Sequence, residues 1–381
     1  MLLVVLVGCG RVGFTPLDGD ASPVDAAPAT CAVELGAGRE HICAAVPARD
    51  ELWCWGANNF GQLGDGTTVA RSTPYQLAIT DAIDVAGGRH QTCIARRGGT
   101  VQCWGEGESG QLGNASMMSS LAPVDVPTLT DIIEVAGSSQ HSCARAATGE
   151  LSCWGLGADG RLGHGSNVSS TTPVRVELLS NTTRLFSGGS TSCATKNANE
   201  LWCWGLNSMG ELGAGPTAAT TTPHRNLVGS ARHAAIRDNT GCAVEDDGLV
   251  ACWGRGDLGQ LGDGRMVSSA SPVRTLLLQA VAVAVGIDHA CAVHEDGTAS
   301  CWGDNSVGQL GRAPGNPTIA TAPMTVPGVT DKVGIIASGY TTCAISAGGD
   351  VDCWGKNVEG TLGDGTMQPR VGPVRATDLC P

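Results

Sequence analysis

The chain has 381 residues, 15% of them charged and 4% aromatic, with 55 glycines, 18 prolines and 17 cysteines. Its formal net charge of -13 and its three lysines, Lys196, Lys332 and Lys356, exclude the dense basic stripe that displaces counterions from nucleic-acid phosphates. Glycine and proline at this density exclude a helical bundle and describe short strands joined by tight turns, while an apolar share of 42% rules out disorder of the whole chain.

Residues 1–9 read MLLVVLVGC. The apolar run ending Leu6-Val7-Gly8-Cys9 resembles a bacterial lipoprotein signal with its lipobox, which implies cleavage before Cys9 and lipidation of that cysteine. No Lys or Arg precedes the run, and it is short for a signal core. Residues 10–30 follow with the stretch TPLDGDASPVDAAPAT, whose Pro, Ala and Asp suit a flexible tether. From residue 31 to 380 the chain is repetitive.

Cys-Trp-Gly recurs at Cys54, Cys103, Cys153, Cys203, Cys252, Cys301 and Cys353, spaced by 49, 50, 50, 49, 49 and 52 residues. A period this regular is one supersecondary unit copied in tandem, and about 50 residues accommodates a four-stranded propeller blade. The sixth copy shows the plan. Ala280 to Val285 is an apolar run fit for a buried inner strand. His289 to His294 and Thr298 to Gly303 supply the two middle strands. Thr321 to Val326, with Pro323, is the edge strand, where a missing N–H is tolerated. The fold predicted is all-β, a seven-bladed β-propeller with four-stranded blades and a ring closed near the termini.

Each Cys-Trp-Gly cysteine has a partner upstream: Cys43, Cys93, Cys143, Cys193, Cys242, Cys291 and Cys343. Six couples have spacing ten, and the third residue of the central loop is Gly99, Gly149, Gly248, Gly297 or Gly349, with Asn199 in the fourth copy. A three-residue hairpin loop needs its third residue in the left-handed region, which Gly enters freely and Asn tolerates. That register makes each couple a non-hydrogen-bonded pair, close enough for a disulfide across the middle strands of its own blade. The first couple, Cys43 with Cys54, is one residue longer and carries Pro47, so a four-residue loop or bulge is expected. Each staple contributes on the order of 2.7 kcal/mol by loop entropy. Zinc ligation fits poorly, because structural zinc sites favour couples two to four residues apart; no metal and no cofactor are expected.

Cys31 and Cys380 bracket the repeats. Aligned on the third copy, they fall on Asp131 and Thr130, consecutive positions, so a Cys31–Cys380 disulfide would replace the peptide link missing between the last blade and the first. Closing a loop of roughly 350 residues stabilises by about 5 to 6 kcal/mol at most. Disulfides throughout imply an oxidising compartment.

Phrases such as AGGRHQTCIARRGGTVQCWGEGESGQLGN, from Ala86 to Asn114, make residues 31–380 resemble the regulator of chromosome condensation repeat family. The resemblance implies a seven-bladed propeller. Its founding eukaryotic member is a guanine-nucleotide exchange factor that docks on chromatin, through loops and a basic tail without counterparts here; other members are secreted bacterial propellers that cover β-lactamase active sites with one face. By that analogy the expectation is a non-enzymatic, monomeric protein-binding or scaffold module in the cell envelope with an unidentified protein partner; the cysteines and lipobox add export, either held to the membrane by the lipid anchor alone or secreted, and the charge excludes nucleic acid. The alternatives are an enzyme whose site lies in the axial funnel, or an exchange-factor-like regulator. The seven Cys-Trp-Gly tryptophans are read as inter-blade packing, and His41, His141 and His289, each two residues before a cysteine, as hydrogen-bonding strand residues. No nucleophile–base arrangement or phosphate loop stands out.

Overall fold

The computed structural model describes residues 33–379 except 198, 217, 278 and 378, together with two short paired strands, Val4–Leu6 and Gly13–Thr15. Cys9, Cys31 and Cys380, and with them the expected lipidation and closing disulfide, lie outside the described residues.

Seven four-stranded antiparallel sheets follow one another along the chain, each with its strands in sequential order. Their inner strands are Glu34–Ala37, Ala82–Gly87, Ile132–Gly137, Thr182–Gly188, His233–Arg237, Ala280–Val285 and Lys332–Ser338. In the sixth blade the remaining strands are His289–His294, Ala299–Asp304 and Ile319–Thr325. The third strand starts one residue later than its sequence suggests because Thr298 closes the turn. Its carbonyl accepts the His294 N–H at 2.9 Å, and its own N–H donates to Asp296 Oδ1 at 2.9 Å. Among the described residues the only helical turn is a 3-10 segment at Ala158–Gly160, and no helix is long and apolar enough to cross a membrane.

The hairpins have the expected geometry. Gly297 donates to the His294 carbonyl at 3.0 Å with φ +80°, which sets Cys291 opposite Cys301. Asn199 takes the same left-handed conformation at φ +62° in the fourth blade. In the first blade Val46 faces Glu51 across a four-residue loop whose last residue, Asp50, has φ +54°. All seven couples are disulfides at non-hydrogen-bonded positions, with Cα–Cα distances of 4.0–4.1 Å, shorter than the about 4.5 Å usual for such pairs. All fourteen sulfurs belong to buried residues.

The outer strands hold a recurring irregularity. Between the residue facing the Cys-Trp-Gly glycine and the one facing its cysteine, three residues intervene where the third strand has one, as with Ser120 to Val124 against Gly105 to Cys103. The same bulge occurs in every blade and contains Pro74, Pro123, Pro173, Pro223, Pro272, Pro323 or Pro373. An edge strand with a bulged proline offers little to a foreign strand.

What joins the blades is the tryptophan. After each third strand comes a Gly-x-Leu-Gly segment, Gly61 to Gly64 in the first blade and Gly308 to Gly311 in the sixth; each Cys-Trp-Gly indole is fully buried and donates its Nε1–H to the carbonyl of the second residue of this segment in the preceding blade. Trp104 reaches Gln62 O, Trp154 Gln111 O, Trp204 Arg161 O, Trp253 Glu211 O, Trp302 Gln260 O and Trp354 Gln309 O, at 2.8–3.0 Å. Trp55 closes the set on Thr361 O at 2.9 Å, across 306 residues of sequence. The blades therefore form a closed ring of seven. The last Gly of the segment lies on the indole: a Cβ at Gly64 would stand 2.6 Å from Trp104 Nε1, and its φ of +74° independently disfavours other residues.

Two outcomes follow. Trp302→Ala removes a fully buried aromatic and an inter-blade hydrogen bond, so denaturant unfolding should show a loss of about 3–5 kcal/mol. Replacing Cys291 and Cys301 together by alanine should cost about 2–3 kcal/mol, measured the same way under oxidising conditions.

Candidate functional site: the loop-bearing face and its axial cup

The turn between strands one and two and the exit of strand three share one face of every blade. A backbone bond joins them each time, from Ala57 N to Glu40 O at 2.8 Å in the first blade to Lys356 N to Tyr340 O at 3.1 Å in the seventh. Long loops carrying Gly-x-Leu-Gly leave from this face, so the residues free to vary sit here.

At its centre the inner strands end in small residues: Gly38, Gly88, Ser138, Gly188, Gly286 and Ser338 occupy one repeat position in six blades. The fifth blade has Arg237 there. Its guanidinium crosses to the far side of the ring, donating to Ala337 O at 2.8 Å and to Gly38 O at 2.7 Å. Above it opens a cavity of about 130 Å³ lined by Arg39, Arg89, Ser139, Ser187, Arg237 and Asp238 among small residues.

Around the cup runs a polar rim that bridges blades. Lys356 pairs with Glu40 at 2.6 Å across the ring closure, and Arg255 of blade five pairs with Asp288 of blade six at 2.7 Å. Tyr340 donates to Asp288 at 3.2 Å. Burial raises the Asp288 carboxyl above its usual range, helped by the nearby Asp304 and Asp238 charges, while Arg255 and Tyr340 work against the rise. Phe60 stacks on His90 with ring centroids 4.2 Å apart, and His90 contacts Glu106 at 3.2 Å.

Farther out, the loops display exposed apolar side chains at two adjacent repeat positions in five blades: Val69, Met117 and Met118, Val168, Met266 and Val267, and Met367. Met118, Val168 and Val267 are 75%, 68% and 65% exposed. Their carbonyls sit against Gly107, Gly157 and Gly256, just beyond the third strands, which places them on the same face as the cup.

The residues singled out in the sequence lie elsewhere. None of the fourteen paired cysteines lines the cup. His41, His141 and His289 point between blades, where Nε2 meets Thr92 Oγ1 at 2.9 Å, Ser192 Oγ at 2.7 Å and Thr342 Oγ1 at 2.8 Å. Thr92 spends its own hydrogen on Gln62 O at 2.7 Å, so His41 is the donor to it and carries its proton on Nε2. Burial pushes all three imidazoles down to about 3, with the charges of His90 and Arg237 adding at His41, Arg161 at His141 and Arg237 at His289. They are neutral structural donors. The Asp after Gly-x-Leu-Gly is likewise a loop organiser. Burial works to raise the Asp65 carboxyl, but hydrogen bonds from Arg71, Thr67 and Asn58 outweigh it and hold it low. Among the described residues no group of three or more His, Cys, Asp or Glu could hold a metal. The axial arginines escaped notice in the sequence, although Arg237 breaks a position otherwise held by Gly or Ser.

The histidines fix a pH dependence. A group neutral in the fold but protonated in the unfolded chain gives stability that is complete above its unfolded value of 6.5 and is lost as pH falls toward 3. Each should contribute a slope of about 1.4 kcal/mol per pH unit across that window. His289→Gln, the residue type blade two uses at Gln91, should flatten the acid limb by one such increment in denaturant titrations.

Comparison with known proteins agrees with this geometry. Residues 49–95, 98–145, 148–195 and 247–293 match the family model described as Regulator of chromosome condensation (RCC1) repeat, and residues 132–161 and 280–309 match a second model of the same description. No curated protein sequence matches the chain significantly. Among solved structures, human WBSCR16 superposes with TM-score 0.77 at 22% identity, covering 86% of this chain and 95% of that one. Yeast RCC1 (Prp20) bound by Kap60 gives TM-score 0.77 at 17% identity, covering 96% and 91%. A second structure of Prp20p from Saccharomyces cerevisiae gives 0.75 at 20% identity, covering 86% of each chain. At these identities the likeness is one of fold.

Proposed function

The chain belongs to the regulator of chromosome condensation repeat family, and from that premise we propose that it is an exported protein-binding propeller that presents its loop-bearing face to a protein partner in the bacterial envelope. The observation that carries this reading is the array of exposed Val and Met side chains on that face. Soluble proteins seldom leave apolar side chains exposed at matching positions of one surface, and methionine adapts to varied partner contours. The similar yeast RCC1 (Prp20), bound by Kap60 in one structure and with binding properties toward Gsp1p and histones, supports protein binding as the class.

Seven buried disulfides, one per blade, suit an oxidising extracytoplasmic compartment. Leu6-Val7-Gly8-Cys9 supports anchoring through a lipid on Cys9, with residues 10–30 as the tether, and Cys31 with Cys380 supports a covalent clasp at the ring closure. The body itself then acts as a monomeric display scaffold.

Affinity capture from envelope extracts with the lipid-free protein tests the reading. Met118→Asp and Val267→Asp should each weaken recovery and affinity for the captured partner at least tenfold, about 1.4 kcal/mol, without changing thermal stability. Unaltered binding in both variants would place the interface elsewhere. Separately, Cys9→Ser should move the protein from the membrane to the soluble fraction on cell fractionation.

A further inference from the structure

We propose that the axial cup is a carboxylate-binding site. The inference stands independently of the apolar array. It begins with a charge imbalance. Three arginines, Arg39, Arg89 and Arg237, are among the residues lining a cavity with one acidic residue, Asp238, in a protein whose overall charge is -13. Arg237 gives its hydrogen bonds to two backbone carbonyls, Ala337 and Gly38, so its position is fixed while its charge faces no bonded counter-ion. Arg39 and Arg89 make no side-chain hydrogen bond or ion pair among the described residues, whereas most other arginines of the propeller are paired. Arg39 is half-buried and Arg89 exposed, so both side chains are free to turn toward an anion that enters the cup.

The chemistry of the donors selects the anion. Phosphate sites are typically built from converging backbone N–H groups. Here those groups are spent on the ring itself: Arg39 N donates to Gly88 O, Arg89 N to Ser138 O and Ser139 N to Gly189 O, at 3.0–3.3 Å. What remains are planar guanidinium forks, donors that match a flat carboxylate bidentately. Asp238 on the wall further disfavours a doubly charged phosphate. A cavity of about 130 Å³ admits a small organic acid or the side chain of an acidic residue, not a larger metabolite. The carboxylate could thus belong to a free acid or to an Asp or Glu on a partner's loop.

Isothermal titration of the full chain with succinate, with the capped tripeptide acetyl-Gly-Asp-Gly-amide and with inorganic phosphate separates these cases. At least one carboxylate probe should bind, with phosphate at least tenfold weaker. Succinate as the tighter ligand would identify a free acid, and the peptide as the tighter one a partner's side chain. Arg39→Ala and Arg89→Ala should each weaken carboxylate binding tenfold or more with an unchanged melting temperature. Arg175→Ala, on an outer strand and paired with Glu150, should change nothing. Absence of binding by both carboxylates, phosphate binding as tightly as they do, or affinities indifferent to Arg39→Ala and Arg89→Ala would overturn the proposal. Loss of partner capture in the Met118 and Val267 variants, with succinate binding intact, would show that the two surfaces act separately.

Discussion

A single hydrogen bond repeated seven times holds this ring: an indole N–H given to a carbonyl in the Gly-x-Leu-Gly segment of the preceding blade. Each tryptophan is covalently next to a disulfide cysteine and points to the opposite face of its strand, so one tripeptide fixes a blade internally and docks it externally. Buried, the indole needs an acceptor, and the acceptor's segment needs glycine where the indole lies. The arrangement therefore constrains both halves of every junction, including the one between Trp55 and Thr361 that joins the ends of the array. Where Ser or Thr precedes the cysteine, its hydroxyl can reach the same carbonyl, as Thr92 does at 2.7 Å and Ser142 at 3.0 Å. His41, His141 and His289 extend this network to the neighbouring blade.

The disulfides compensate for a core with few large side chains. Beyond nine tryptophans the chain has only three phenylalanines and two tyrosines, and its inner strands are largely alanine, valine and glycine. Small residues let seven strands crowd the axis, but each contributes little apolar area. A staple across the middle strands of each blade restrains the unfolded chain instead. The consequence for function is a rigid frame whose loop-bearing face can vary without loss of the fold. On that face the centre is cationic and polar, and the periphery is apolar.

Much of the frame was legible in the sequence because its determinants are local. Cysteine spacing, a left-handed third loop residue and alternation along two strands are enough to place Cys291 against Cys301, and Asn199 substitutes for glycine without disturbing the register. Boundaries shifted where the backbone closed a turn, as at Thr298, or where proline bulged the outer strand. The axial cup was not legible, because it exists only when the ring closes. Arg237 becomes meaningful once Ala337 and Gly38, 100 and 199 residues away, stand opposite it. The Val and Met array was hidden for a different reason: single apolar residues in variable loops carry no periodic signal until the blades are superposed.

Hydrogen exchange of the tryptophan side chains, followed by NMR on protein carrying ¹⁵N in its indoles, tests the closed ring most directly. The nine indoles divide into seven that donate to a neighbouring blade and two, Trp53 and Trp202, that lie partly exposed beside Glu51 and Glu200. The account predicts seven strongly protected indole N–H groups, with Trp55 protected as well as the other six, and two that exchange quickly. Rapid exchange at Trp55 alone would mean that the first and last blades do not meet, and would contradict the ring.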